Sequence, residues 1–136
     1  MSFTSDLVEK AAGLSTVSRY TIFNGLVYFA TGILLVVWPG AVQAIFQEAA
    51  FAGHEEGLLR VVGLTVGVIG WLYIFGGRTG ARQFVAASVI DRLVFVPAVL
   101  VPLALSGLFP RLLLAFTALD AALAIGALII RNRVSD

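Results

Sequence analysis

The sequence has no cysteine, a single histidine and few charged residues. Charged residues are 12% of the 136-residue chain. The absence of cysteine excludes disulfides, thiolate metal sites and thiol redox chemistry. The one histidine, His54, lies beside Glu55 and Glu56 in "GHEEG", and one His with adjacent acids is a poor ligand set for a metal. We therefore predict no metal site and no cofactor.

The sequence also lacks a strong net charge and the common catalytic motifs. Its formal net charge is +1, which is too small to indicate a nucleic-acid partner. It contains no phosphate loop, no nucleophile elbow and no HExxH motif. We expect no signal peptide, because the first apolar run is too long and no cleavage site follows it.

Hydrophobic residues, in contrast, are abundant. They make up 60% of the chain, where a soluble domain has about 45–50%. Each of four apolar runs is close to the roughly 20 residues that a helix needs to cross a bilayer, and none has the alternation of a barrel strand. We predict an all-α, polytopic membrane protein, in which a single domain forms an antiparallel bundle of four transmembrane helices. The predicted spans are residues 20–38, 58–75, 84–105 and 111–130.

Two further segments have the spacing of amphipathic helices that lie on a membrane. Residues 3–18 and 41–52 repeat apolar side chains at helical intervals. Asp6 and Glu9 in the first segment have the spacing of a capping box, with Asp in place of Ser or Thr. We predict an interfacial helix in each segment; the alternatives are a partly ordered tail and an ordinary loop.

The Lys and Arg residues outside the spans or at their ends are unevenly distributed. Arg60 and Arg111 lie on one side of the predicted bundle, together with an acidic loop. The positive-inside rule then predicts a multi-pass protein of the cytoplasmic (inner) membrane, with both termini in the cytoplasm. The six basic residues on the predicted cytoplasmic side are Lys10, Arg19, Arg78, Arg82, Arg131 and Arg133.

Three charges fall deep inside the predicted spans. Asp91 and Arg92 are adjacent in "ASVIDRLVFVP", and Asp120 lies in the fourth span. At 1.5 Å per residue they lie roughly 10, 12 and 15 Å from the cytoplasmic ends of their spans. A charge at such depth costs about 2.5–3.5 kcal/mol on insertion scales and normally faces a partner.

A short turn joins the third and fourth spans, so they are predicted to be antiparallel neighbours. We predict that Arg92 pairs with Asp120, while Asp91 faces another helix or a water-filled pocket; the reverse pairing stays open. One acid is then left over unless Arg60 reaches inward or the acid is protonated. Because burial disfavours a charged carboxyl group, the remaining acid is a candidate proton carrier or ligand contact. The alternative is that these polar residues only hold the helices together.

Asn24, Tyr28 and Thr31 form one polar stripe on the first span, and Tyr28 lies at the depth of these charges. We therefore predict a polar core, to which Arg60 and Tyr73 of the second span add possible ligand contacts. If the protein is an enzyme, Asp91 and Asp120 are the candidate catalytic residues. The members of the predicted core are Asn24, Tyr28, Ser88, Asp91, Arg92, Thr117 and Asp120.

Glycine and proline have their own pattern. Gly63, Gly67 and Gly70 share one face of the second span, and Gly25 and Gly32 are one heptad apart on the first. Such small residues let two helix backbones approach closely. In the third span, the prolines at 97 and 102 predict a kink that either opens a pocket or only shapes the packing.

These features resemble the small four-helix bacterial membrane proteins grouped as DoxX-like or BphX-like. The resemblance covers about residues 58–130: Arg60 opens the second span, glycines run down it, and Arg92 and Asp120 lie within the third and fourth spans. It implies a four-helix membrane fold. Some members of these families are described as membrane subunits beside quinone-linked oxidoreductases.

Three functions remain open at this point. The first is a binding or accessory subunit that holds a lipophilic small molecule or docks on a larger membrane complex. The second is a small enzyme that performs acid–base chemistry on a hydrophobic substrate. The third is a small, oligomeric, proton-coupled transporter. The predicted partners are the lipid bilayer, a lipophilic small molecule, and either copies of the chain or a larger complex.

Overall fold

The computed structural model describes residues 3–9 and 11–134, and within them every regular element is a helix. Four helical segments are long and apolar enough to cross a membrane, which confirms the predicted all-α, four-span architecture. The elements are α1 Phe3–Val8, α2 Thr16–Val37, α3 Pro39–Ile45, α4 Glu55–Arg78, α5 Arg82–Ile90, a π-helical turn Asp91–Phe95, α6 Val96–Leu105 and α7 Pro110–Val134.

The four spans are α2, α4, the composite helix α5–π turn–α6, and α7. They alternate in direction along the sequence. Short turns join α4 to the third span and the third span to α7, and the longer connection 38–54 joins α2 to α4. We call the end with both chain termini and the α4–α5 turn the terminal end of the bundle. The opposite end, with the connection 38–54 and the α6–α7 turn, is the far end.

The closest packing in the bundle joins α2 to α4, through glycine. A Cβ added to Gly70 would lie 2.7 Å from the Gly25 carbonyl oxygen, and one added to Gly63 would lie 2.9 Å from the Gly32 carbonyl oxygen. The two backbones are therefore in direct contact along much of their length, as small-residue packing in membranes allows. The glycines predicted to line helix contacts do so here, between α2 and α4.

The composite third span packs on α7 and changes its winding in the middle. Residues Asp91–Phe95 form a π turn, in which the Val96 N–H donates to the Asp91 carbonyl five residues earlier. Pro97, near the start of α6, has no N–H, and its ring cannot fit against the carbonyl four residues before it. The wider turn accommodates that proline, so the break predicted for this helix takes the form of a π turn.

The N-terminal segment differs from its prediction. Helix α1 ends at Val8, and Gly13 adopts a φ of 68°. The Ser15 hydroxyl then caps α2 by accepting a hydrogen bond from the Ser18 N–H at 3.1 Å. A single helix over residues 3–18 is therefore wrong, because the glycine turn and the serine cap separate two helices. Asp6 lies within α1 rather than at its N-cap, so the capping box is wrong too.

The connection 38–54 contains a shorter helix than predicted. Helix α3 begins at Pro39 and ends at Ile45, shortly before Gln47 reverses the chain with a φ of 52°. Beyond this point the connection is fastened to α7. The Arg111 guanidinium donates to the Gln47 carbonyl at 2.6 Å, and the Leu112 N–H donates to the Glu48 carboxylate at 2.7 Å.

The terminal end carries more basic residues than the far end. Arg78 there donates to the Val8 carbonyl at 2.8 Å and so holds the N-terminal segment against α4. At the far end, Arg60 bonds to Glu56 and to the end of α2. Lys10, which the orientation prediction counts, lies outside the described residues.

Candidate functional site

Five of the seven residues predicted to form the polar core are buried. Their centre is a hydrogen bond from the Tyr28 hydroxyl of α2 to the Asp120 carboxylate of α7. These two side chains are 2% and 3% exposed, so water does not reach the bond. Because the bond joins the first span to the last, it ties the tight α2–α4 pair to the other half of the bundle. The buried members are Asn24, Tyr28, Ser88, Arg92 and Asp120.

The predicted ion pair between Arg92 and Asp120 is not confirmed, since these two described side chains form no ion pair within 4.0 Å. Arg92 instead folds back along its own helix. Its Nε donates to the Ser88 carbonyl at 2.9 Å, and a terminal nitrogen donates to the Ser88 hydroxyl at 3.1 Å. The guanidinium also lies 5.4 Å from the ring centroid of Tyr73, within cation–π range. Tyr28, which reaches Asp120 from α2, takes the position predicted for the arginine.

The polar core retains unused hydrogen-bonding groups. The Oδ1 and Nδ2 atoms of Asn24 and the Nη1 atom of Arg92 are buried without a hydrogen-bond partner. Buried polar groups are nearly always paired, and an ordered water is a common partner.

Asp91 lies outside this core, although Arg92 is its neighbour in sequence. Its side chain faces a separate cavity of about 760 Å³, which we call the chamber. Successive residues on a helix point in different directions, so one turn of helix directs its cation into the polar core and its carboxylate into the chamber.

The chamber occupies the far half of the bundle, and all four spans contribute to it. Its lining is almost entirely aliphatic and aromatic, apart from Thr31, Glu55 and Asp91. The spans contribute Thr31, Leu34 and Leu35 from α2; Glu55, Leu58, Leu59, Val62 and Val66 from α4; Asp91, Phe95, Val96, Val99, Leu100 and Leu103 from the third span; and Leu112, Leu113, Ala115, Phe116 and Leu119 from α7.

The chamber is closed at two ends. Its floor contains Val66 and Phe116, which pack on Tyr28 and thereby separate the chamber from the polar core. Its roof is the connection 38–54, where Val42 packs against Leu35 and Leu59.

One side of the chamber is open between α4 and the third span. Four residues line both the chamber and the outer surface there: Leu58 is 63% exposed, Val62 48%, Phe95 62% and Val99 58%. In a membrane-spanning bundle such apolar surfaces face lipid. The opening therefore lies among apolar side chains.

The ionisable groups that line the chamber are acidic. None of the described residues that line it is Lys, Arg or His. The Glu55 carboxylate at its far rim accepts a hydrogen bond from the Ala52 N–H at 2.7 Å. The Asp91 carboxylate has no hydrogen bond or ion pair with any described residue. It is therefore the acid that has no cation as its partner.

The remaining predicted site residues lie elsewhere. Arg60 donates to the Val36 carbonyl and to Glu56, so it stays at the far end and does not reach inward. The Thr117 hydroxyl donates to the Leu113 carbonyl in its own helix at 2.8 Å and makes no hydrogen bond to another helix among the described residues. Tyr73, which could also be read as a membrane-surface aromatic, is 6% exposed and packs edge-on against Tyr28 with ring centroids 5.5 Å apart.

Sequence reasoning did not identify the apolar residues that shape the site. Phe116 and Val66 form the floor, and Phe95 borders the opening. In the sequence they look like any other residues of an apolar span. The proline at 97 was the signal for an opened pocket, but it does not show which helices the pocket separates.

Comparison with protein-family models, with curated proteins and with solved structures finds no match to this chain. The resemblance to the DoxX-like and BphX-like proteins therefore stays a prediction. Within residues 3–9 and 11–134, no group of three or more His, Cys, Asp or Glu side chains is placed to hold a metal ion.

Proposed function

We propose that this protein is a membrane-embedded binding subunit that holds one lipophilic small molecule in the chamber. The observation that carries the proposal is a cavity of about 760 Å³ with an apolar lining and a side opening among exposed apolar residues. Cavities for small molecules are typically about 300–1,000 Å³ and mostly apolar, with a few polar groups that orient the ligand.

The side opening favours a ligand that is dissolved in the bilayer. A water-soluble molecule would need a polar route, but the roof of the chamber is packed with Leu35, Val42 and Leu59. A lipophilic molecule enters between α4 and the third span and moves from one apolar environment to another. Its binding then depends on shape and on the few polar groups in the chamber.

The polar core supports this function by fixing the geometry of the bundle. Neither Tyr28 nor Asp120 lines the chamber, and both are sealed from water, so their arrangement favours a structural role over acid–base chemistry on a chamber ligand. Their bond, together with the contacts of Arg92, holds the third and fourth spans in place beneath the floor.

The test is native mass spectrometry of the protein purified in mild detergent, with bound small molecules retained. Ala115 lines the chamber, whereas Ala118, three residues along the same helix, is exposed. We expect a lipophilic adduct on the wild-type protein that Ala115→Phe abolishes and Ala118→Phe retains.

The pair of variants makes the result specific, because both add the same side chain to α7. An adduct that survives Ala115→Phe, or that both variants lose equally, would contradict binding in the chamber. A wild-type particle that carries no adduct, and takes up none from a lipid extract, would contradict the function itself.

We further propose that the terminal end faces the cytoplasm. The asymmetry of basic residues supports this, with Arg78, Arg82 and Arg131 among those at that end. Because the chain has no cysteine, single substitutions report accessibility cleanly. A membrane-impermeant maleimide applied to intact cells should label His54→Cys and not Asn132→Cys; the reverse pattern would refute the orientation.

A further inference from the structure

We infer that the molecule held in the chamber is a lipophilic cation, such as a hydrophobic amine, whose positive group lies against Asp91. This inference rests on the proposed function and names the ligand class. Its basis is the distribution of charge around the chamber, which is separate from the evidence for binding itself.

Asp91 is an acid in an apolar setting that the protein does not neutralise. It lies near the middle of the third span, partly exposed to the chamber. Charged residues within a bilayer are costly, and they normally pair with one another or serve an ion or a ligand. Asp91 has no such partner among the described residues.

Two arginines of the spanning helices, Arg92 and Arg60, are directed elsewhere. Arg92 donates to Ser88 and stacks on Tyr73 inside the polar core. Arg60 is held at the far end by Glu56, at 2.8 Å. Each arginine therefore has its own contacts, and the chamber keeps a carboxylate with no counter-charge.

The rest of the chamber suits the apolar part of such a ligand. Phe116, Phe95 and Leu100 surround the space beside and beyond Asp91. A hydrophobic cation would place its charge at the carboxylate and its rings or chains against these residues. An anion of the same shape would bring a second negative charge beside Asp91, and such like-charge contacts are strongly unfavourable.

Three tetraphenyl probes test this inference, because they share one shape and differ in charge: tetraphenylphosphonium (+1), tetraphenylsilane (0) and tetraphenylborate (−1). Binding is measured in nanodiscs of zwitterionic lipid, with empty nanodiscs subtracted. Three proteins are compared: wild type, Asp91→Asn, and Glu56→Gln. Glu56→Gln removes one carboxylate outside the chamber and serves as the matched control.

We expect Asp91→Asn to weaken tetraphenylphosphonium binding by about tenfold or more, in line with the loss of a close charge pair. Tetraphenylsilane binding should stay within about twofold, because Asn preserves the volume of the side chain. Glu56→Gln should bind all three probes as the wild type does. For each probe, the affinity of the variant is divided by that of the wild type. Partitioning of the probe into lipid affects both affinities equally, so the ratio does not depend on it.

The outcomes separate this inference from the proposed function. Binding of all three probes with no charge preference would overturn the cation and leave the binding function standing. A preference for the cation that survives Asp91→Asn would overturn the role of Asp91. If no probe binds and Ala115→Phe removes no adduct in mass spectrometry, both proposals fail together.

Discussion

The two sides of α4 meet their neighbours in opposite ways. On the α2 side, glycines bring two backbones into contact, and a Cβ at Gly63 would lie 2.6 Å from the Cβ of Leu35. On the side of the third span, exposed leucines and valines border an open chamber. One helix therefore provides both a tight packing surface and a wall of a cavity, and the difference lies in the size of the side chains that each face presents.

We expect the largest loss of stability from a single methyl group added at the α2–α4 interface. In Gly70→Ala, the new Cβ would collide with the Phe29 backbone nitrogen and with the Gly25 carbonyl. We expect a loss of about 3 kcal/mol in the free energy of unfolding, the upper end of the usual range for over-packing. Thermal or denaturant unfolding in detergent measures it.

Gly67→Ala is the control for that variant, because its Cβ would meet only the Gly32 Cα at 3.8 Å, an ordinary contact. We expect a change within about 0.5 kcal/mol. Equal losses in the two variants would show that close backbone approach is not what stabilises this interface.

We expect the next largest loss of stability from breaking the Tyr28–Asp120 hydrogen bond, which links the two halves of the bundle. Tyr28→Phe removes the donor to Asp120 and leaves a buried carboxylate without its partner. Such a loss costs about 1–3 kcal/mol. The same unfolding measurement checks it, with Thr31→Val as control, since the Thr31 hydroxyl bonds only to Val27 of its own helix. A Tyr28→Phe protein as stable as the wild type would contradict the role of this bond.

Added volume should be tolerated in the chamber, in contrast to the glycine interface. Ala115→Phe places a whole ring into existing space, so we expect less than about 1 kcal/mol of destabilisation, even though ligand binding is lost. A loss as large as that of Gly70→Ala would mean that the chamber is collapsed when the protein is in a membrane.

The smallest effect should come from the exposed far end of α4. Glu56 and Arg60 form an i,i+4 ion pair whose side chains are 52% and 43% exposed. Surface pairs of this kind contribute about 0–1 kcal/mol, so Glu56→Gln should change stability by less than about 0.5 kcal/mol. A larger loss in the unfolding experiment would show that this pair anchors the helix end.

The sequence was most informative where a pattern has one structural solution. Twenty apolar residues in lipid form a helix, and glycines on one face, such as Gly63 and Gly70, indicate a close helix contact. Counting residues from the ends of each span also placed Tyr28, Arg92 and Asp120 at a similar depth in the bundle. These predictions depend only on periodicity and length.

It was less informative where several partners compete. Depth alone does not distinguish Tyr28 from Arg92 as the partner of Asp120, because both side chains reach the same level. The choice depends on rotamers and on the winding of the third span. The chamber was not predictable from the sequence either. The size of such a cavity depends on the distance between two pairs of helices, and no single residue determines that distance.

The π turn has a consequence for the evolution and engineering of this span. A π turn is equivalent to one extra residue inserted in an α-helix, and the wider turn takes up that residue without putting the two halves of the third span out of phase. Deleting one residue between Leu93 and Phe95 should therefore return the segment to α winding, while Asp91 on one side and Val99 and Leu103 on the other keep their directions. The same deletion in an unbroken helix such as α7 would rotate everything beyond it by about 100°. The π turn is thus the place where the third span can lose a codon and still present its carboxylate and its apolar wall to the same cavity.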